Sequence, residues 1–173
     1  MSIVTKRGDG GNTFLFWGGE VAKDHPRIEL QGALDELSSF LGLAKSLVKK
    51  GAIKDLLEQI QKDLILIGAE VSTTPRYIHR LKKKILGKDV RQLEAFINKL
   101  EARRAFKKEF CLPGANTASG ALHVARTIAR RAERRVVSLV KKEELKDSAI
   151  LVYMNRLSDL LYLMARACAK KER

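Results

Sequence analysis

From Arg27 onward the apolar residues recur with a helical period and almost nothing interrupts them. A chain patterned this way must bury one stripe on each of several helices, which makes a helix bundle the economical architecture. Over 28–49, Leu30, Ala33, Leu34, Leu37, Leu41, Ala44 and Val48 share one face, and Gly51 reads as the C′ residue that ends the helix. A second helix is expected from about Ile53 to Ser72, carrying Leu56, Leu57, Ile60, Leu64, Ile67 and Val71, with Thr74-Pro75 stopping it. Residues 76–88 form a basic connector around Lys82-Lys83-Lys84. Asp89 then reads as the cap of a third helix, with Gln92 completing a capping box ahead of Leu93, Phe96, Ile97 and Leu100. Pro113-Gly114 breaks the chain. A fourth helix follows from about Thr117 to Lys141 and a fifth from about Lys146 to Lys170. The expected fold is all-α: an antiparallel five-helix bundle behind a glycine-rich N-terminal segment, residues 1–26, which holds five of the 12 glycines.

Composition narrows the function. With 45% apolar residues the chain is not disordered, and two cysteines cannot staple a mini-fold, so Cys111 and Cys168 read as reduced. No apolar run approaches a bilayer span and the first residues carry no apolar signal core, so a cytoplasmic protein without a membrane partner is expected. No GxxxxGK[ST] occurs. The residues three before His25, His79 and His123 are Ala22, Arg76 and Gly120, which excludes the Glu-x-x-His arrangement of di-iron bundles. The isolated cysteines argue against structural zinc, and no protein-held metal site is expected. The net charge of +14 favours anionic partners, although a solvated basic surface accounts for it equally well.

Three constellations carry candidate chemistry. Thr5-Lys6-Arg7-Gly8-Asp9-Gly10-Gly11-Asn12-Thr13, with Lys23 ten residues on, could turn backbone N–H groups, hydroxyls and an ammonium toward an anion. On pattern alone a glycine-rich turn near a terminus is the better account. On the fourth helix, Arg126, Arg130, Glu133 and Arg134 lie well over a quarter-turn from the apolar face of Ala121, Ala125, Ile128, Ala132, Val136 and Leu139. A solvated charged face explains that stripe, yet three arginines to one carboxylate leave the positive charge that an oligophosphate needs. On the fifth helix, Asn155, Asp159, Tyr162 and Arg166 form a polar stripe opposite Leu157, Leu161, Met164 and Cys168. It is either a base- or ribose-reading edge or a solvated or subunit-facing one.

Taken together these segments resemble the trimeric five-helix-bundle class of ATP:cob(I)alamin adenosyltransferases, whose bundle is ferritin-like. The matching text is Thr5-Lys6-x-Gly8-Asp9-x-Gly11-x-Thr13, then Val21-x-Lys23-Asp24-x-x-Arg27-x-Glu29-x-x-Gly32-x-x-Asp35-Glu36-Leu37. Phe110-x-Leu112-Pro113-Gly114, Arg126-x-x-x-Arg130-Arg131-Ala132-Glu133-Arg134-Arg135-Val136-Val137 and Asn155-Arg156-Leu157-Ser158-Asp159 follow in the same order. Five ordered blocks discriminate far better than any one of them.

The resemblance implies a single domain over 1–173, with 1–26 as its ATP-binding loop segment and 27–171 as the bundle. It implies an enzyme, a transferase that moves the 5′-deoxyadenosyl group of ATP to cob(I)alamin and gives adenosylcobalamin and triphosphate. ATP would arrive with Mg2+ on its phosphates. By the same resemblance, Thr5, Lys6, Arg7, Gly8 and Thr13 line the ATP loop and Lys23 binds the phosphates. Arg130, Glu133, Arg134 and Asn155 complete the nucleotide site. Arg126, held by Asp35, is the residue critical to catalysis, and Phe110 stands at the lower face of the corrin. Further implied partners are two more copies of the chain, forming a homotrimer with sites between subunits, a cobalt reductase and an adenosylcobalamin-dependent acceptor enzyme. A nucleic-acid-binding bundle is the main alternative, disfavoured because the basic residues are spread along the whole chain and only 6% of residues are aromatic. A non-enzymatic ATP-responsive bundle is the other.

Overall fold

The computed structural model describes residues 4, 6–48, 51–103, 111–142, 145 and 148–169. A short hairpin comes first, β1 (Asn12–Leu15) and β2 (Gly19–Ala22), antiparallel with Thr13 opposite Val21. Among the described residues five helices follow: α1 (Pro26–Leu47), α2 (Ala52–Val71), α3 (Gly87–Arg103), α4 (Thr117–Lys141) and α5 (Ile150–Ala169), with a 3₁₀ turn at Pro75–Arg80 inside the basic connector. Among the described residues no helix is long and apolar enough to cross a membrane.

The expected apolar stripes are the core. Leu30, Leu37, Leu57, Ile67, Val136 and Leu161 are fully sequestered, as is most of each stripe they belong to. The third helix is the exception. Leu93 is buried, but Phe96, Ile97 and Leu100 are only half-covered, so one flank of α3 stays open.

Helix ends show where local rules and tertiary partners meet. His25 caps α1 by accepting from the Arg27 amide at 3.2 Å, with Pro26 at the first helical position, where its missing N–H costs nothing. Asn116 accepts from the Ser119 amide at 2.8 Å, capping α4, while its Nδ2 donates to the Cys168 carbonyl at 2.6 Å. One side chain thus pins the start of α4 to the end of α5. Two expected caps are corrected. Gly51 does not close α1, which ends at Leu47; it starts α2, with φ of +140° and its carbonyl accepting from Lys54 at 2.8 Å. Asp89 is not the capping residue of α3, because that helix begins two residues earlier. From the first turn its carboxylate reaches back to the Leu86 amide at 2.8 Å, the acidic half of a capping box. The fifth helix starts at Ile150, where Ser148 Oγ accepts from the Ile150 amide at 3.2 Å.

Buried polar groups set how the helices are stacked. Glu70 in the last turn of α2 accepts from the Ile85 amide at 2.6 Å and from Ser148 Oγ at 3.4 Å, which places the starts of α3 and α5 at the same end. Successive helices alternate in direction, and α3 and α5 therefore run side by side in the same direction. Asp63 accepts from Tyr153 Oη at 2.7 Å and from Gln59 Nε2 at 2.9 Å, joining the middle of α2 to α5. Burial beside that carboxylate pushes the Tyr153 phenol far up. Arg27, 1% exposed, donates from one terminal nitrogen to the carbonyls of Val71 (2.6 Å) and Thr73 (3.0 Å). Those carbonyls lie at and just beyond the C-terminus of α2, the negative end of its dipole. The tip of the hairpin joins the same place, with the Trp17 amide donating to Ser72 at 3.0 Å and the Thr74 amide to Trp17 at 2.8 Å.

Burial raises the Glu70 carboxyl above its ordinary range. A raised value means that the folded state holds the proton more tightly than the unfolded chain. The contribution of Glu70 to stability is therefore complete below the unfolded value and is lost as pH rises through the folded one. Glu70→Gln keeps an oxygen for the Ile85 amide and removes the titration. Thermal melts between about pH 4 and about pH 8 should show the variant gaining on the parent as pH rises; parallel curves would show that the carboxyl is not strained by burial.

Candidate active site

α4 carries five arginines over 126–135, too many for a face whose only carboxylate is Glu133. The apolar face of the helix fixes where they go. Ala125, Ile128, Ala129, Ala132 and Val136 are buried, and at ~100° per residue the arginines fan across the remaining arc. One edge of that arc meets α1. There Arg135 donates to the Glu29 carboxylate at 2.6 Å and to the Glu29 carbonyl at 2.9 Å, and Arg131 pairs with Glu36. These two arginines are neutralised and brace α1 against α4.

The other edge faces α5 and the open flank of α3. A cleft of about 610 Å³ lies between the three helices, with Arg126 and Arg130 from α4, Arg156, Asp159 and Tyr162 from α5, and Ile97 from α3 in its walls. Beside it runs a chain of hydrogen bonds. Arg156 Nε donates to Glu94 Oε1 at 2.9 Å and Arg156 Nη1 to Asn155 Oδ1 at 2.9 Å; Asn155 Nδ2 in turn donates to Glu133 Oε1 at 2.9 Å. Arg134 sits exposed at the crest of the arc, and among the described residues its guanidinium donates only to the Arg130 carbonyl of its own helix, at 3.2 Å. The Nε of Arg126 is buried without a hydrogen-bond partner among the described residues, as is Nδ1 of His123 one turn earlier. Desolvation, with the Arg126 charge added, holds His123 below its usual range, and its ring stands edge-on to Tyr162 at 6.1 Å.

The glycine-rich segment lies on the α1 side. Lys6 takes φ of +59° and Gly11 of +82°, and amides turn inward: Asp9 to Lys6 at 3.3 Å, Gly11 to Gly8 at 3.2 Å, Lys23 to Gly11 at 2.9 Å. A Cβ on Gly8 would stand 2.9 Å from Lys23 Nζ, so the glycine is what lets the ammonium lie against the loop backbone. Lys23 then looks into a second groove, of about 360 Å³, whose far wall is Gly32, Glu29, Glu36, Arg131 and Arg135.

The site residues expected from sequence are thus divided into two sets. Lys6, Arg7, Gly8, Thr13 and Lys23 form a loop at the α1 edge, with Thr13 half-buried in β1. Arg126, Arg130, Glu133, Arg134 and Asn155 cluster on α4 and α5. No hydrogen bond, ion pair or cavity among the described residues joins the two sets. Thr5 and Phe110 lie outside the described residues. The expectation that Asp35 holds Arg126 is corrected within the chain: the two form no ion pair, because Asp35 comes one residue after buried Leu34 and is turned outward on α1. Sequence reasoning left Glu94 and Arg156 unassigned, although Glu94, Ile97, Asn98 and Glu101 recur at helical spacing on α3 and line the cleft. Among the described residues no group of three or more His, Cys, Asp or Glu side chains is arranged to hold a metal ion.

Comparison with known proteins adds the chemistry. The family described as "Cobalamin adenosyltransferase" matches residues 3–168. A corrinoid adenosyltransferase of Citrobacter freundii is 41% identical over 164 residues, 95% of this chain and 93% of that protein. The corrinoid adenosyltransferase PduO of the same organism is 41% identical over 167 residues, 96% of this chain and 50% of that protein, so the chain spans half of the longer relative. A variant PduO-type ATP:corrinoid adenosyltransferase from Lactobacillus reuteri, solved in complex with cobalamin and ATP, superposes with a TM-score of 0.89. It is 35% identical, and the match covers 97% of this chain and 93% of that one.

The division of labour along α4 has a measurable consequence. Arg135→Met removes a brace to Glu29 and should cost about 1 kcal/mol in denaturant unfolding. Arg134→Met, which leaves no other helix unpaired, should stay within about 0.5 kcal/mol of the parent. Equal losses would show that the two arginines are not divided in this way.

Proposed function

The chain belongs to the cobalamin adenosyltransferase family, and from that premise we propose that it transfers the 5′-deoxyadenosyl group of ATP to cob(I)alamin, releasing triphosphate and giving adenosylcobalamin. The observation that carries this reading to particular residues is the unbalanced charge on α4. Arg131 and Arg135 are neutralised by Glu36 and Glu29, whereas among the described residues Arg126, Arg130 and Arg134 form no ion pair, and the one carboxylate of their own helix face, Glu133, is engaged by Asn155. Guanidiniums left without ion pairs suit a leaving group that is itself a polyanion.

In the transfer, cobalt(I) gives its electron pair to C5′ of ATP. The cobalt–carbon bond forms as the C5′–oxygen bond breaks, and the oxygen leaves with that bond's pair on triphosphate. The nucleophile belongs to the corrinoid substrate, so the protein's work is placement and electrostatics. Arg130 and Arg134, with Lys23 and the loop of Thr5, Lys6, Arg7, Gly8 and Thr13, meet the charge that grows on the departing phosphates. Glu133 and Asn155 orient the nucleoside. Arg126, on the cleft wall beside these groups, is the residue critical to catalysis, and the apolar ring of Phe110 displaces the lower axial ligand, which eases reduction of cobalt(II). Magnesium travels on the triphosphate rather than in a protein cage. The chain works as one domain, with 1–26 supplying the loop and 27–171 the bundle. We place it in the cytoplasm, whose reducing poise suits a cobalt(I) substrate, with a reductase upstream and an acceptor of adenosylcobalamin downstream.

The two separated sets of residues support a site completed between subunits. In a cyclic homotrimer the loop of one chain meets the α4–α5 cluster of the next, a heterologous contact that closes after three copies. Asp35, turned away from Arg126 of its own chain, is then free to meet Arg126 of a neighbour.

The primary test is an anaerobic assay with chemically reduced cobalamin and MgATP, following the cobalamin spectrum and released triphosphate. Equimolar adenosylcobalamin and triphosphate are expected, and no conversion with both substrates verified would overturn the proposal. Subunit sharing is tested with Lys23→Ala and Arg130→Ala proteins, each impaired alone. Mixed by unfolding and refolding in equal amounts, they should regain about a quarter of parental activity, the share of interfaces pairing an intact loop with an intact α4. No recovery in mixed trimers would place the whole site within one chain.

A further inference from the structure

We propose that Arg156 is a positioning residue: it fixes the side-chain amide of Asn155 and thereby decides what the Asn155–Glu133 pair offers to the nucleotide. The inference deepens the proposed function and rests on it for the identity of the ligand. An asparagine amide can present either its oxygen or its NH₂ to a given neighbour, and only the surroundings decide. Here they decide twice. Arg156 is donor-only, and its Nη1 donates to Asn155 Oδ1 at 2.9 Å, so the oxygen must face it. Glu133 is acceptor-only, and its Oε1 receives Asn155 Nδ2 at 2.9 Å. The guanidinium is itself oriented from the opposite helix, because its Nε donates to Glu94 Oε1 at 2.9 Å. Three helices are therefore linked by bonds that run outward from one donor: the Arg156 fork on α5 donates to a carboxylate on α3 and to an amide on α5, which donates to a carboxylate on α4.

Two features separate this role from simple bracing. The Arg156 and Glu94 side chains are 38% and 40% exposed, and an ion pair as wet as that contributes little to stability. Its value lies in direction. With the amide held, Asn155 keeps one N–H and Glu133 keeps Oε2 beyond their mutual bond, a donor beside an acceptor. That pair matches a group which both accepts and donates, as a ribose hydroxyl does. If the amide turned over, its oxygen would face the Glu133 carboxylate and the pattern would be lost.

The experiment uses Arg156→Met, Arg156→Lys, Asn155→Ala and the Arg156→Met/Asn155→Ala double variant of the full chain. In Arg156→Met the Kd for ATP should rise about five- to tenfold, a fold-change of the size that loss of one oriented hydrogen bond gives. KM for ATP should follow, kcat at saturating ATP should fall less than twofold and KM for cobalamin should hold. Tm should stay within about 2 °C. Arg156→Lys, which can reach Asn155 or Glu94 but not fork to both, should recover part of the loss. The double variant should be no worse than Asn155→Ala, because Arg156 acts only through that amide. Independently of any ligand, the ¹⁵N-labelled Asn155 side-chain NH₂ in the free protein should show two well-separated, exchange-protected protons that merge toward the solvent-exposed pattern in Arg156→Met. Additive losses, a shift confined to KM for cobalamin, or an unchanged Asn155 resonance pair would each overturn the proposal. Failure of the parent to form adenosylcobalamin would instead remove the proposed function, while the amide resonances still decide whether Arg156 positions Asn155.

Discussion

The arrangement depends on one buried cation. Arg27 stands in the first turn of α1 with its guanidinium almost wholly removed from water, a placement that costs several kcal/mol unless the charge is met. It is met by the carbonyls that α2 cannot satisfy at its own end, those of Val71 and Thr73. The same point receives the hairpin tip through Trp17, and Arg80 lies over the Trp17 ring at 4.7 Å from the other side. The start of α1, the end of α2 and the hairpin are therefore one unit. Lys23, four residues before Arg27, takes its place from that unit, and the loop curled over Lys23 follows. The geometry of the glycine-rich loop is thus a consequence of how a helix terminus was closed, and a change at Arg27 would reach the loop without touching it.

α4 shows how one residue type is given opposite work by position. Arg131 and Arg135 lie where the arc meets α1, find carboxylates there and serve as braces. Arg126, Arg130 and Arg134 lie toward α5 and the open flank of α3, where Glu133 and Glu94 are engaged by Asn155 and Arg156 instead. A spacing of four or five residues on a helix separates the two groups by enough angle to give them different neighbours. Net charge says nothing of this: a chain at +14 has cations everywhere, and only those without partners remain for a ligand.

The helices were legible because a 3.6-residue period reports a buried stripe directly, and the expected stripes are the buried ones on every helix but α3, where only Leu93 is fully covered. The polar edges of α4 and α5 were legible for the complementary reason. What stayed hidden were groups whose role is assigned by something distant in sequence. Gly51 and Asp89 sit near helix ends, so their type is informative, but which end or which half of a cap they serve depends on where the neighbouring helix stops. Arg27 reads as one more charged residue until α2 is placed against it. Arg156 follows Asn155 in the chain, and nothing in that adjacency says that it turns the amide, since the instruction comes from Glu94, 62 residues earlier. The outward turn of Asp35 was readable from its place after Leu34, yet a family resemblance carries pairings without saying whether they lie within a chain or between chains.

The proposed division of the site along the two edges of one helix also has an electrostatic logic. Three guanidiniums on one helix edge that form no ion pair among the described residues repel each other. An oligophosphate relieves that repulsion, and so would a neighbouring chain that brings an outward-facing carboxylate such as Asp35. In the trimeric reading both arrive at the same arc, so assembly and nucleotide binding draw on one reserve of unpaired positive charge. On that proposal the neighbour would leave part of the charge unmet for ATP to use. The braced pair of Arg131 and Arg135 keeps α4 in place against α1 whichever of the two is present, so the binding edge can exchange partners while the helix does not move.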